Sequence, residues 1–235
     1  MSITKNVKRI KEQMHAAAIA AGRDPEEITL CAATKMNGAE AVREAIRAGV
    51  AVCGENRVQE LTQKLAENAY EGAQVHFIGH LQTNKVKQVV GKVDLIQSVD
   101  RLKLLEAIQA EAAKQGIVQN ILLEINIGNE ESKSGFSREE LPSIVDTLPN
   151  FPNIRLMGLM AIPPICQNSG DNRKFFQEMC KLSVDITAKK GDNVCMGILS
   201  MGMSDDFADA IACGSTMIRV GTAIFGQRNY AQANR

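Results

Sequence analysis

Two rhythms of apolar and polar positions run through the chain. In the opening segment Val7, Ile10, Met14 and Ala17 recur at helical spacing among charged residues and stop at Gly22. This predicts an amphipathic helix rather than a secretion signal, whose apolar stretch would be unbroken. From residue 28 the pattern changes to short apolar runs, each followed by an amphipathic stretch. Eight such runs occur: ITLCAAT (28–34), VAVCG (50–54), VHFIG (75–79), DLIQSV (94–99), ILLEINI (121–127), IRLMGLMAI (154–162), VCMGILS (194–200) and MIRVG (217–221). Strands that are apolar on both faces and alternate with helices make a parallel sheet covered by helices.

The stretches between the runs carry helix signals. Val42, Ala45 and Ile46 precede Gly49; Asp100 stands as N-cap for Leu102, Leu105 and Ile108 ahead of Gly116; Ser137 and Glu140 have capping-box spacing; Ser204, Asp205 and Asp206 open a segment that stops at Gly214. Eight units in 235 residues leave roughly 29 residues each, near the ~250-residue size of a (β/α)8 barrel with few insertions. The expected architecture is a single α/β domain over residues 1–235, a (β/α)8 TIM barrel with an extra N-terminal helix. The alternative, an open doubly wound sheet, usually carries a glycine-rich fingerprint after its first strand, where this chain has Lys35-Met36-Asn37-Gly38.

Composition narrows the function classes. The chain is 45% hydrophobic and 23% charged, which excludes disorder, and its 27 basic and 27 acidic residues give no net field to gather nucleic acid or anionic lipid. Neither is an expected partner, and no stretch reaches membrane-spanning length. The cysteines at 31, 53, 166, 180, 195 and 213 form no C-x-x-C pair, so a reducing cytoplasm is the expected location. Cys31, Cys53 and Cys195 lie in apolar runs and are expected to be buried and unreactive. His76 and His80, four apart on a strand, would stand about 13 Å apart, and His15 falls in the opening helix, so no zinc site is expected. Met196, Met201 and Met203 read as core and pocket filler, and Lys85, Lys87 and Lys92 as a solvated face.

In a (β/α)8 barrel the reacting groups stand at the C-terminal ends of the strands, with phosphate commonly held after the seventh and eighth. Those ends carry Lys35, Glu55 and Asn56, His80, Ser98 and Asp100, Asn126, Met160, Ser200-Met201-Gly202, and Arg219 with Gly221-Thr222. Lys35 follows Ala and Cys, a setting that can lower an ammonium pKa for Schiff-base chemistry; the alternative is a lysine that simply reaches the rim. Ser200 and Gly221-Thr222 offer hydroxyls and backbone N–H groups suited to a phosphate. A lysine opposite a phosphate cradle points to a phosphorylated aldehyde. Arg219, two residues before Gly221, faces the same side. Beside a pyridine nitrogen it would donate a hydrogen bond and keep that nitrogen unprotonated, weakening the ring as an electron sink; otherwise it is an ion-pair residue of the rim.

GEN (54–56) with VQEL (58–61), HFIGHLQTNKVK (76–87), SVDRLKL (98–104), EESKSGF (130–136), GLMAIPP (158–164), LSMGMSDDF (199–207) and GSTMIRVGTAIFG (214–226) together resemble the pyridoxal phosphate homeostasis proteins. These are single-domain relatives of the alanine racemase N-terminal barrel, a fold type III pyridoxal phosphate barrel, and the resemblance spans nearly the whole chain. It implies that Lys35 forms an internal aldimine with pyridoxal 5′-phosphate, that Ser200, Gly221 and Thr222 hold the phosphate, that Arg219 approaches the pyridine nitrogen, and that Asn56 and Met201 line the pocket. Lys133 resembles a lysine proposed in some members to touch a second cofactor molecule. Two departures stand beside the site: Met36-Asn37-Gly38 replaces a Thr-Lys-Pro-like segment, and Arg57 replaces a Tyr after GEN.

Three functions compete: a cofactor carrier without turnover, an amino-acid racemase, and a Schiff-base aldolase acting on a phosphorylated sugar. Racemisation needs a second acid/base opposite the lysine. In the related two-domain racemases this is a tyrosine from a further domain and partner subunit, and here the tyrosines are Tyr70 and Tyr230. An aldolase needs acidic partners near its lysine, for which Glu55 and Asp100 form no defensible pattern. The expectation is therefore a cytoplasmic, monomeric, non-catalytic protein of vitamin B6 homeostasis that buffers pyridoxal phosphate and delivers it to apo pyridoxal phosphate-dependent enzymes.

Overall fold

In the computed structural model, which describes residues 2–130, 132–164, 170–188 and 191–226, the eight apolar runs match eight strands, displaced by two residues at most. They are β1 (Thr29–Ala33), β2 (Val52–Glu55), β3 (Gln74–Phe77), β4 (Leu95–Val99), β5 (Gln119–Ile125), β6 (Ile154–Ala161), β7 (Val194–Ser200) and β8 (Met217–Val220). Each pairs in parallel with the next and β8 pairs with β1, closing the barrel. The helices are α1 (Ile3–Ala20), α2 (Ala39–Arg47), α3 (Val58–Ala66), α4 (Leu102–Gln115), α5 (Leu141–Thr147), α6 (Arg173–Thr187), α7 (Phe207–Ala212) and α8 (Thr222–Phe225), with a 3-10 turn at Thr83–Gln88 as the third crossover. Among the described residues no helix is long and apolar enough to cross a membrane.

The main core lies between strands and helices, where Leu30, Ala32, Cys53, Phe77, Ile96 and Leu123 pack outward. Residues one step along, Cys31, Ala33, Val52, Ile78 and Met217 on one side and Leu95, Leu122 and Met160 on the other, form two clusters inside the barrel. Strand alternation thereby fixes which side chains point inward. The extra helix α1 braces the end of the chain, since Asn6 Nδ2 donates to the Ile224 carbonyl (2.8 Å) and Arg9 Nη2 to that of Ala223 (3.1 Å).

The box at Ser137 forms reciprocally, with Ser137 N to Glu140 Oε2 at 2.8 Å and Glu140 N to Ser137 Oγ at 3.1 Å. Two expectations are corrected. Arg101, not Asp100, is the N-cap of α4 and makes no side-chain cap bond; the Asp100 carboxylate is drawn instead into an ion pair with Arg101 and a contact with His80 Nδ1. Cys195 is exposed, because β7 overhangs β8: the two strands share only the pair Ser200–Met217, leaving the first part of β7 without a neighbour on that side. Cys166 and Tyr230 lie outside the described residues.

Candidate functional site

The inward parity of β1 runs Cys31, Ala33, Lys35, and that of β8 runs Met217, Arg219, Gly221. These strands are in register, Cys31 beside Arg219 and Ala32 beside Val220. A Cβ on Gly221 would lie 3.2 Å from the Ala33 carbonyl oxygen, so the chain passes Gly221 against the strand that ends at Lys35. Lysine, arginine and the Gly221-Thr222 turn therefore meet at one side of the C-terminal mouth.

Lys35 is held from both flanks. Thr34 N donates to the Gly54 carbonyl (2.9 Å), and Thr34 Oγ1, 3.2 Å from the same carbonyl, gives its one proton to Glu55 Oε1 at 2.5 Å. The same carboxylate oxygen accepts from Lys64 Nζ (2.5 Å) and Tyr70 OH (2.9 Å), while Lys64 Nζ donates to the Thr34 carbonyl at 2.8 Å. All four residues are buried. On the other flank Met36 N donates to Glu60 Oε2 at 2.6 Å, fixing Met36 at φ 61, a left-handed conformation unusual for a side chain of its size. Both departures from the family pattern meet at Glu60, since Arg57 Nη1 lies 4.0 Å from its Oε1.

At the phosphate-suited side, Arg219 is buried and donates to Ser200 Oγ (2.6 Å) and the Ala161 carbonyl (2.9 Å). Burial pushes its pKa below the usual guanidinium value, yet arginine keeps its charge in proteins. Ser200 and Met201 are buried, and Thr222 is exposed at the start of α8, where the first N–H groups of a helix have no intrahelical acceptor. Gly202 has φ 94, and a Cβ there would lie 2.5 Å from that of Ala210, so the turn after β7 admits only glycine.

The opposite side of the mouth opens into a cavity of about 300 Å³, lined by Asn56, His80, Glu124, Asn126 and Lys133 among others. Asn56 is placed by Gly79, whose Cβ would fall 2.1 Å from the Asn56 carbonyl oxygen. Its side-chain Oδ1 is buried without a partner among the described residues, an acceptor left for a ligand donor. Lys133 is tied to the Glu130 carboxylate and donates to the Pro163 carbonyl at 3.1 Å. Glu124 has its pKa pushed up to about 7, first by burial and then by Asp100, against the pull of Arg219. His80 Nδ1 faces both Asp100 Oδ2 (3.2 Å) and Ser134 Oγ (3.5 Å); a relay needs one partner on each ring nitrogen, so this is not a nucleophile triad. No cluster of metal-binding side chains occurs among the described residues.

Sequence reasoning did not find Lys64, Glu60 or Gln97. Lys64 had a signal, a charged residue three after Leu61 on the apolar face of α3. So had Gln97, polar in a strand whose five residues are all buried. The geometry also removes three candidates. Tyr70 spends its hydroxyl on Glu55, with burial and that carboxylate raising its pKa far above the ordinary phenol, and Glu55 and Asp100 are already engaged by cations.

The alanine racemase N-terminal domain family matches this chain over residues 2–229. The pyridoxal phosphate homeostasis protein of Aquifex aeolicus is 41% identical over 230 residues, 98% of this chain and 100% of that one. Among solved structures, an unknown protein from Bifidobacterium adolescentis is 38% identical with a TM-score of 0.90, over 95% of this chain and 94% of that chain. PipY of Synechococcus elongatus with pyridoxal phosphate bound is 30% identical with a TM-score of 0.80, over 96% of this chain and 100% of that chain. The chain therefore belongs to the pyridoxal phosphate homeostasis protein family, within the alanine racemase N-terminal domain family.

Proposed function

We propose that this protein binds pyridoxal 5′-phosphate at the C-terminal mouth of the barrel and serves vitamin B6 homeostasis as a carrier without turnover. The observation that carries the reading is the double clamp around Lys35, set against Arg219 and Gly221-Thr222 on the adjoining strand. The cofactor supplies an aldehyde for covalent capture by an amine and a phosphate for anchorage. Lys35 presents the amine, with its backbone fixed before and after. Ser200, Gly221 and Thr222 take the phosphate, Arg219 approaches the ring nitrogen and keeps it unprotonated, and Asn56 and Met201 bound the pocket. The partnerless Asn56 Oδ1 fits such a ligand. Apo pyridoxal phosphate-dependent enzymes are the recipients, the protein works as a cytoplasmic monomer, and residues 1–235 act as one domain.

Borohydride reduction of the loaded protein followed by peptide mapping tests this. The adduct is expected on Lys35 and is lost in Lys35→Ala; an undiminished adduct on another lysine overturns the assignment. Thr222→Ala should keep the adduct on Lys35 while releasing cofactor about tenfold faster, as loss of one hydrogen bond to a charged group predicts.

One observation favours a second reading, proton transfer on an amino acid. Glu124, with its pKa near 7, stands in the cavity beside the cofactor site. Exchange of the α-hydrogen of alanine in D2O by the loaded protein, abolished in Glu124→Gln, would establish it.

A further inference from the structure

Four inward-facing side chains form one continuous line of hydrogen bonds through the barrel. Arg219 Nη1 donates to Ser200 Oγ at 2.6 Å, Ser200 donates to Gln97 Oε1 at 2.7 Å, and Gln97 Nε2 meets His76 Nδ1 at 2.9 Å. Gln97 and Ser200 are 0% exposed, so water does not replace a lost partner in the middle of the line, while His76, 3% exposed, meets solvent only in the cavity that it lines. The line starts at the mouth. It ends at His76, which helps line a separate cavity of about 860 Å³ among the N-terminal ends of the strands, with Thr29, Gln74, Leu95 and Met217.

The line has a direction. Arginine has only donors, so Ser200 must accept from Arg219, and its single proton goes to Gln97. The Gln97 amide then presents N–H to His76, which fits only an imidazole with Nδ1 bare and its proton on Nε2. A phosphate at the mouth asks Ser200 for that same proton. If Ser200 turns it outward, Gln97 Oε1 is left buried and unpaired. Rotating the amide by half a turn repairs this: Nε2 donates to Ser200, and Oε1 faces His76, whose Nδ1 must then carry the proton. Ser200 accepts from both Arg219 and Gln97 and gives its proton to the phosphate, and the one bond given up is the weak one from Gln97 Nε2 to Met217 Sδ at 3.2 Å.

We propose that Gln97 and His76 are positioning residues for the phosphate-binding hydroxyl of Ser200, and that seating a phosphate at the mouth reverses the line and moves the imidazole proton of His76 from Nε2 to Nδ1. The proposal rests on the pyridoxal phosphate reading above. The proton balance is neutral: Nε2 releases one proton to solvent in the cavity that His76 lines, and Nδ1 takes one up from that same solvent. Burial holds the His76 pKa down at about 4, so near neutral pH the change is one of tautomer and not of charge.

The test is ¹⁵N NMR of the imidazole nitrogens in the full-length protein, with His76 assigned by loss of its signals in His76→Gln. Spectra are taken free, with pyridoxal phosphate and with pyridoxal, and borohydride capture on the same samples reports loading of Lys35. The expected result is an exchange of the pyridine-like and pyrrole-like resonances of His76 with pyridoxal phosphate and none with pyridoxal. Loading of Lys35 without the exchange, or the exchange with pyridoxal as well, overturns the proposal and leaves the cofactor reading intact. Absence of any adduct on Lys35 overturns the cofactor reading and the proposal with it. Variants give a second measure. Gln97→Glu accepts only when ionised and can donate to Ser200 when protonated, so its cofactor release should become at least tenfold faster as pH rises through its ionisation, a dependence absent from Gln97→Leu; the same pH dependence in both variants counts against a positioning role.

Discussion

Two buried polar assemblies flank the mouth, and they differ in charge. Under Lys35, Glu55 and Lys64 form an ion pair completed by Thr34 and Tyr70, with three donors converging on one carboxylate oxygen. Across the barrel, Gln97 links His76 to Ser200 through a neutral amide. An ion pair has one stable arrangement, because turning either partner away strands a charge in a low-dielectric interior. An amide has two, related by half a turn, when its neighbours are a hydroxyl and a neutral imidazole, each able to give or accept; the weak bond from Gln97 Nε2 to Met217 Sδ favours one of them only slightly. The first assembly suits a group that must stay where it is, the lysine. The second suits a group whose proton must follow a ligand.

The largest expected effect tests the locked side. Lys64→Met leaves Glu55, which is 0% exposed, without its counter-charge and should destabilise the fold by about 3–5 kcal/mol, read as a lower denaturant midpoint. The double variant Glu55→Gln/Lys64→Met should recover part of that loss. Additive behaviour of the two substitutions would show that the pair is not coupled.

A smaller effect tests the neutral side through acid. The folded-state pKa of His76 is about 4 against 6.5 for the ordinary imidazole, so the unfolded chain binds a proton that the folded one refuses. Stability from this residue is complete above pH 6.5 and is lost as pH falls toward about 4, by about 2–3 kcal/mol relative to His76→Gln. Parallel stability curves for the two proteins over this range would mean that His76 takes up its proton as readily in the fold as in the unfolded chain.

The smallest effect separates the hydrogen bonds of the locked side from its charges. Tyr70→Phe removes one donor to Glu55 while Lys64 and Thr34 remain, and should cost about 1.5–2 kcal/mol with the Lys35 adduct still formed. A loss as large as that of Lys64→Met would make the phenol, not the ammonium, the main partner of Glu55.

The barrel was legible because its strands are buried on both faces and their spacing is regular, and the residues at the mouth were legible because a (β/α)8 barrel brings strand ends together. The clamp was not. Glu55 reads as an unassigned carboxylate until Lys64, nine residues on, and Tyr70, fifteen on, are seen to converge on it, and such convergence depends on how α3 and the turn after it settle against β2. Asp100 was misread for a related reason: its position suits an N-cap, but the charge of Arg101 and the ring nitrogen of His80 outcompete the backbone N–H groups for it. Cys195 was misread because an apolar run does not reveal that its strand outreaches the next one.

That overhang has a topological consequence. A closed barrel exposes no strand edge, and edges are where other chains add. Along the first part of β7 the ladder to β8 is missing, and the side chain of Thr216 bridges the gap, accepting from Leu199 N at 2.8 Å and donating to the Gly197 carbonyl at 3.2 Å. One hydroxyl thus extends, toward the start of β7, a seam whose backbone bonds begin only with Thr216 N to the Leu199 carbonyl (3.0 Å) and Met201 N to that of Met217 (3.1 Å). Deuterium should enter residues 194–199 before the rest of the sheet, and Thr216→Val should turn that seam into an edge at which a second chain can dock.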